Sequence, residues 1–147
     1  MRAWLLCGLV LLSSCARQGD FEDVRGGTHR FADYDGKWVV VNYWATWCGP
    51  CIKEIGELNA LAREHAGRVV VLGVNFDEPA VQQGLEAANK MGIKFPVFAA
   101  DPAARLGIDK PEVLPTTYLF APGMKHVKTL VGPQTAQTIL AQIDPGA

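Results

Sequence analysis

Four cysteines are all that this 147-residue chain contains, too few for the dense disulfide framework of a small secreted scaffold. Its three histidines, His29, His65 and His126, are scattered with no ligand spacing; each reads as an ordinary surface or partly packed side chain, and no metal site is expected. No cluster of Lys and Arg stands out against a formal charge of −1, so the electrostatic footprint that nucleic acid requires is missing. Nor is there an apolar run of the roughly 20 residues needed to cross a bilayer. What is present, 49% hydrophobic and 20% charged residues, suits one globular domain burying roughly two-thirds of its unfolded surface.

Where the cysteines lie decides their use. Residues 1–14 read as a signal peptide: Met1-Arg2 carries a positive charge, residues 3–12 are apolar, and Leu12-Ser13-Ser14-Cys15 ends the run with small residues. That ending resembles a bacterial lipobox, which would place a diacylglyceryl group on Cys15 and make it the first residue of the mature chain. The alternative is an ordinary secretory signal whose cleavage site contains a cysteine. On the lipidated reading Cys7 leaves with the signal, Cys15 carries a durable acyl anchor, and only Cys48 and Cys51 remain. Residues 15–27 are then a lipidated terminus and tether, because 16–27 is polar, contains Gly and has no apolar period. Fully extended, that segment reaches about 40 Å. The domain proper is expected over 28–147.

The stretch Trp44 to Cys51, WATWCGPC, follows the apolar run from Val39 and precedes a helical pattern. A strand that empties into a helix directs the unpaired N–H groups of the first turn at Cys48, which favours thiolate, the species that attacks disulfides. Cys51 lies one turn further on, close enough to close a ring with Cys48 and release what Cys48 has captured. This places Cys48 exposed and Cys51 shielded.

The rest of the chain frames this stretch. Residues 28–31 suggest a short strand and 33–36 a turn. Cys51, Ile55, Leu58 and Leu61-Ala62 recur at helical spacing, Lys53, Glu57 and Arg63 face water, and Gly67 is expected to close the helix in a left-handed conformation. Residues 68–76 repeat the buried-strand signature, giving a βαβ unit with parallel pairing. Pro79 then opens a helix with Val81, Leu85, Ala88 and Gly92 on one face, 95–99 is a short strand, and 103–107 a short helix. Residues 114–120 form a strand, 121–124 a hairpin turn and 126–131 the return strand. Ala136, Ile139, Leu140 and Ile143 mark a final apolar helix face.

WATWCGPC, with Asn42-Tyr43 ahead of it, resembles the active site of the thioredoxin superfamily, and is most similar to the TlpA-like branch of extracytoplasmic thiol-disulfide oxidoreductases. The resemblance covers about residues 28–143. It implies an α/β thioredoxin-like fold, a central mixed sheet flanked by helices, with a TlpA-like helix-strand insertion between about Pro79 and Asp101. It also implies that Pro115 is cis and lies against the cysteines. A substrate peptide would then run between Trp47, Gly49 and Pro50 on one side and Leu114, Pro115 and Thr116 on the other, held by backbone pairing. The chemistry is dithiol-disulfide exchange with thiol- or disulfide-containing extracytoplasmic proteins, without a cofactor beyond the Cys48–Cys51 disulfide. Gly49-Pro50 resembles reducing members, so a membrane thiol electron donor is implied. The chain is expected to be a monomer on the periplasmic face, its Ala16 favouring the outer membrane slightly over the inner.

One departure concerns protons. Thioredoxins usually carry a buried aspartate six residues before the first cysteine, where this chain has Asn42, which does not titrate. Glu54 and Glu112 are the candidate proton relays; read on position alone, Glu54 is a solvated helix residue favoured by the dipole and Glu112 a loop charge. A peroxiredoxin reading fails on residues, because the Pro and Thr/Ser that would precede its cysteine are Val41 and Ala45 here. The remaining alternatives are a net oxidase or isomerase, and a copper carrier using Cys48 and Cys51, which would need further ligands.

Overall fold

The computed structural model describes residues 19–143. The signal peptide, the cysteine at position 15 and residues 16–18 of the tether therefore lie outside the described residues. Four strands make the central sheet: β3 (Trp38–Trp44), β4 (Val69–Asn75), β5 (Thr116–Ala121) and β6 (Lys125–Val131), in the order β4-β3-β5-β6. β3 and β4 run parallel, joined through helix α1 (Gly49–Glu64); β5 is antiparallel to both β3 and β6. The sheet is mixed, as expected.

β3 shows why a nearly continuous apolar run suits a central strand. Successive side chains point to opposite faces, and both faces are covered. Val40 and Trp44 join Ile55, Leu58 and Leu61 of α1 and Ile139 and Ile143 of α4 (Ala136–Ile143) in one core cluster. Val39, Val41 and Tyr43 join Leu72, Val74, Phe98, Tyr118 and Phe120 in the other. Each fully buried Leu or Ile contributes roughly 1.5–3 kcal/mol. β6 differs: every residue but Leu130 is exposed along it, Lys125, His126 and Lys128 included.

The boundary at residue 28 is corrected by the structure. Phe21–Glu22 forms strand β1, paired antiparallel with β2 (Thr28–His29). Phe21 stacks on His29 with ring centroids 4.9 Å apart and meets Phe98 at a tilt with centroids 4.2 Å apart, and Val24 is buried. The hairpin is clasped by Asp23, whose carboxylate accepts from His29 Nε2 at 2.6 Å and from the N–H groups of Arg25 and Gly27 at 2.7 and 3.1 Å. Burial pushes the Asp23 carboxyl up, but these hydrogen bonds win and hold it below the ordinary value. Two apolar residues in a polar stretch carry too little periodicity to announce themselves. They dock because the insertion offers them a surface.

That insertion comprises α2 (Val81–Lys90), the segment 95–99 and α3 (Ala103–Leu106). The expected strand at 95–99 is reduced to two isolated bridges, Val97 parallel to Gly73 and Phe98 antiparallel to Asp23. α2 begins after Pro79 rather than on it, because Glu78 turns the chain with φ +48°. Its buried residues are Gly84 and Ala88, while Val81 is exposed, a correction to the expected face. Val24 of the hairpin sets this: a Cβ at Gly84 would lie 3.1 Å from Val24 Cγ1. Gly67 is likewise corrected. α1 ends at Glu64, and the turn that follows closes with the N–H groups of Arg68 and Val69 on His65 O, without a left-handed residue at Gly67.

Candidate active site

β3 ends at Trp44, and residues 45–47 turn the chain into α1 with Cys48 as its N-cap. The Cys48 backbone is extended, φ −86° and ψ 100°, and its Sγ accepts a hydrogen bond from the Cys51 N–H at 3.2 Å. Pro50 occupies the first turn, where its missing donor costs nothing. The two sulfurs are bonded at 2.06 Å, so this is the oxidised form, and Cys48 Sγ stands where the attacking thiolate of the reduced form would be. A capping N–H and the positive end of a 16-residue helix both favour negative charge at that atom. Cys51 is fully buried and Cys48 retains 5% of its surface. The expectation of an exposed Cys48 is thus corrected: its side chain folds back over the helix end and packs in the cluster of Trp44 and Ala45.

The rim is more open. Trp47 is 64% exposed, and Gly49 and Pro50 are exposed beside it. The Trp47 indole N–H donates to the Asp77 carboxylate at 3.0 and 3.1 Å, and its ring meets Phe76 edge-on at 6.4 Å. Lys110 lies over Phe76, 4.5 Å from the ring centroid, and pairs with Glu78. An exposed indole is thereby fixed in orientation by the loop that follows β4. Sequence reasoning missed Asp77, since no motif links it to Trp47 and only the parallel pairing of β3 with β4 brings the two loops together.

The Leu114–Pro115 peptide is cis. Pro115 is buried and its carbonyl accepts from Gly132 N at 2.8 Å. Thr116 is buried inside the sheet, in register with Tyr43 on one side and Val131 on the other, and its hydroxyl donates to Val113 O at 2.8 Å. Leu114 is half-buried, packed against the cluster that holds both cysteines. Of the two positions expected to offer backbone to a substrate, Leu114 is the one outside the sheet.

The reading of Glu54 as a solvated residue is overturned. It is 2% exposed on the same face of α1 as Cys51 and Leu58. Its Oε1 accepts from Asn42 Nδ2 at 2.7 Å and its Oε2 from Gln134 N at 2.8 Å. Burial raises its pKa, and these two hydrogen bonds only partly oppose the rise. Asn42 Nδ2 also donates to Thr117 Oγ1 at 3.0 Å, leaving Asn42 Oδ1 buried without a partner. Rotating that amide by 180° would turn the oxygen toward Glu54, where it accepts from a neutral acid, so the pair suits either protonation state. Cys51 and Glu54 stand three residues apart on the buried side of α1, a spacing that makes helix side chains neighbours. Glu112, by contrast, is exposed in the loop before Pro115. Among the described residues no group of three or more His, Cys, Asp and Glu side chains is placed to hold a metal ion.

Comparison with known proteins agrees with this geometry. The model of the AhpC/TSA family matches residues 14–127. The chain belongs to the AhpC/TSA family. Within this family the chain is similar to the thiol-disulfide oxidoreductase ResA of Geobacillus thermodenitrificans, at 32% identity over 136 residues, 92% of this chain and 78% of that one. Among solved structures it resembles a DsbF homologue from Corynebacterium diphtheriae, with a TM-score of 0.72 and 26% identity over 85% of this chain and 82% of that one. It also resembles the exposed lipoprotein thioredoxin Etrx1 of Streptococcus pneumoniae, with a TM-score of 0.69 and 26% identity over 85% and 96%. This AhpC/TSA member therefore has the thioredoxin-like fold and is a thiol-disulfide oxidoreductase acting on thiol-containing proteins.

Proposed function

We propose that this enzyme reduces disulfides in extracytoplasmic partner proteins from a membrane anchor. The observation that carries the reading is Cys48 Sγ at the N-cap of α1, accepting the Cys51 N–H. As thiolate, Cys48 attacks a partner disulfide, one partner sulfur leaves as a thiolate that takes up a proton, and a mixed disulfide forms. Cys51 then loses its proton and attacks Cys48 Sγ, restoring the Cys48–Cys51 bond and releasing the second partner sulfur. The buried Glu54 is the acceptor for the Cys51 proton, since its raised pKa brings it closer to a thiol's than an ordinary carboxyl. The substrate backbone lies along Leu114 beside Pro115 and Thr116, with the oriented Trp47 ring, Gly49 and Pro50 opposite.

Addressing follows the sequence. Residues 1–14 are removed as a signal peptide and Cys15 carries the lipid, a reading in keeping with the lipoprotein character stated for Etrx1. No helix among the described residues is long and apolar enough to cross a membrane; the attachment in this reading is the lipid on Cys15. The enzyme acts as a monomer on the periplasmic face and is recharged by a membrane thiol donor.

The test is Cys51→Ala, which leaves Cys48 unable to release what it captures. Mixed disulfides should accumulate with a small set of extracytoplasmic proteins, resolvable by reducing agent and identifiable by mass. Recovery of nothing thiol-linked would sink the mechanism. A measured reduction potential near that of strong oxidants would instead assign the net direction to oxidation.

A further inference from the structure

Where the chain enters the domain bears on what the disulfide meets. Gly73 N donates to Pro96 O at 2.8 Å and Phe98 N to Gly73 O at 2.9 Å, so the segment 96–98 runs beside β4 in the same direction. β1 runs antiparallel to that segment, with Val24 N donating to Val97 O at 2.9 Å and Ala99 N to Glu22 O at 3.0 Å. β1 therefore begins at the end where β3 and β4 finish, the end that carries Cys48. Asp101 confirms the level: with Asp20 and Phe21 it lines one groove, and its Oδ1 accepts from the hydroxyl of Tyr43, the residue before Trp44, at 2.8 Å. Strands lie about 4.8 Å apart, so β1, three places from β3, roots the chain about 15 Å to the side of the site.

Residues 16–19 separate Cys15 from Asp20, a contour of about 17 Å at most. The hairpin has consumed the rest of the expected tether. Trp38, at the opposite end of β3, lies about 20 Å from Trp44 along the strand alone, further than this stalk can reach. We propose that the lipidated stalk holds the active-site end of the sheet toward the membrane bearing the anchor, so that Cys48 faces the side from which the membrane thiol donor proposed above would approach. The inference rests on the lipidation and reductase readings above.

The exchange balances as a two-electron transfer. One donor thiolate attacks Cys48 Sγ, the Cys48–Cys51 bond breaks, and Cys51 leaves as a thiolate that takes up a proton. The second donor thiol loses its proton and attacks the donor sulfur of the mixed disulfide, releasing Cys48 as thiolate. The donor ends as a disulfide and this chain as a dithiol.

The orientation can be tested apart from lipidation in the cell. In a chain of residues 15–147, which contains every described element, Cys15 is the one free thiol while Cys48 and Cys51 remain bonded, and it couples to a maleimide phospholipid in phosphatidylcholine vesicles. Trp38→Phe leaves Trp47 as the exposed reporter; Trp47→Phe leaves Trp38, with the buried Trp44 common to both. Nitroxide-labelled headgroups should quench the Trp38→Phe protein at least twofold more than the Trp47→Phe protein, relative to unlabelled vesicles. A 20-residue Gly/Ser insertion after Arg17 should abolish the difference. Equal quenching, stronger quenching of Trp38, or a difference that survives the insertion overturns the orientation. Lipidation in the cell is read separately from the mass of the mature N-terminal peptide. Lipidated Cys51→Ala protein should trap an integral membrane protein through one of its cysteines; capture of soluble proteins alone overturns the partner assignment.

Discussion

Consider removing the buried carboxylate by Glu54→Gln, which exchanges one oxygen for an amide nitrogen and leaves the volume of the site unchanged. In the native domain Glu54 sits among Asn42, Thr117 and the Gln134 N–H, with its pKa above the ordinary 4.5. The folded chain thus binds more protons than the unfolded chain between 4.5 and the folded value. Stability falls as pH rises through that interval and levels off above it, at a cost of about 1.4 kcal/mol for each unit of elevation. Glutamine forfeits a charge-assisted hydrogen bond, about 1.5–3 kcal/mol, at every pH where Glu54 is ionised. The diagnostic is therefore the shape: the difference in unfolding free energy, variant minus native, climbs with pH from about 4.5 and then reaches a plateau. Urea denaturation of the oxidised protein between pH 4 and 9 measures it. Activity should move the opposite way, with release of the Cys48 mixed disulfide slowed about 100-fold by loss of the proton acceptor. Parallel stability curves together with unchanged insulin reduction would refute both the buried charge and its use.

Other perturbations follow from single contacts. Gly73→Ala should destabilise by about 1–3 kcal/mol in urea, since its Cβ would stand 2.9 Å from Trp44 Nε1 and 3.1 Å from Phe95 Cε2; an unchanged midpoint would mean the insertion packs more loosely than described. Gly56→Ala should stabilise by about 0.5–1 kcal/mol, because this exposed position inside α1 has nothing within 4 Å of an added Cβ. Asp23→Asn should cost about 1–3 kcal/mol at pH 7. With a folded pKa below 3.8, Asp23 contributes stability above that value and loses it as pH falls through the folded one, so the native and variant curves should converge in acid.

Much of this was legible because the informative residues are local. The order from Val39 to Cys51, a buried run, two tryptophans, two cysteines and a helical period, specifies a strand, a turn and a capped helix within a short span. Pro115 was legible through the family resemblance; its place before an apolar strand alone reads as a plain strand-initiating proline. The hairpin was not: Phe21 and Val24 matter through Phe98, Val97 and Gly84, some 60 to 77 residues away, and no periodicity reports contacts at that separation. Glu54 failed for a related reason. Its helical position faces the sheet, which indicates burial, yet a carboxylate there looks wrong until Asn42 and the Gln134 N–H are seen to meet it. Asp77 belongs to the same class, a loop residue whose role exists only through the pairing of two strands.

The margin that β6 forms among the described strands matters for an enzyme that must engage partner proteins briefly. Any extended polypeptide could zip onto such a border. Here Lys125 and Lys128 line it, so two copies meeting head to tail would set ammonium against ammonium, and a greasy client would have to strip water from both. Clients are deflected from the flank, and lasting engagement is left to the end of the molecule where sulfur can make it covalent and then undo it.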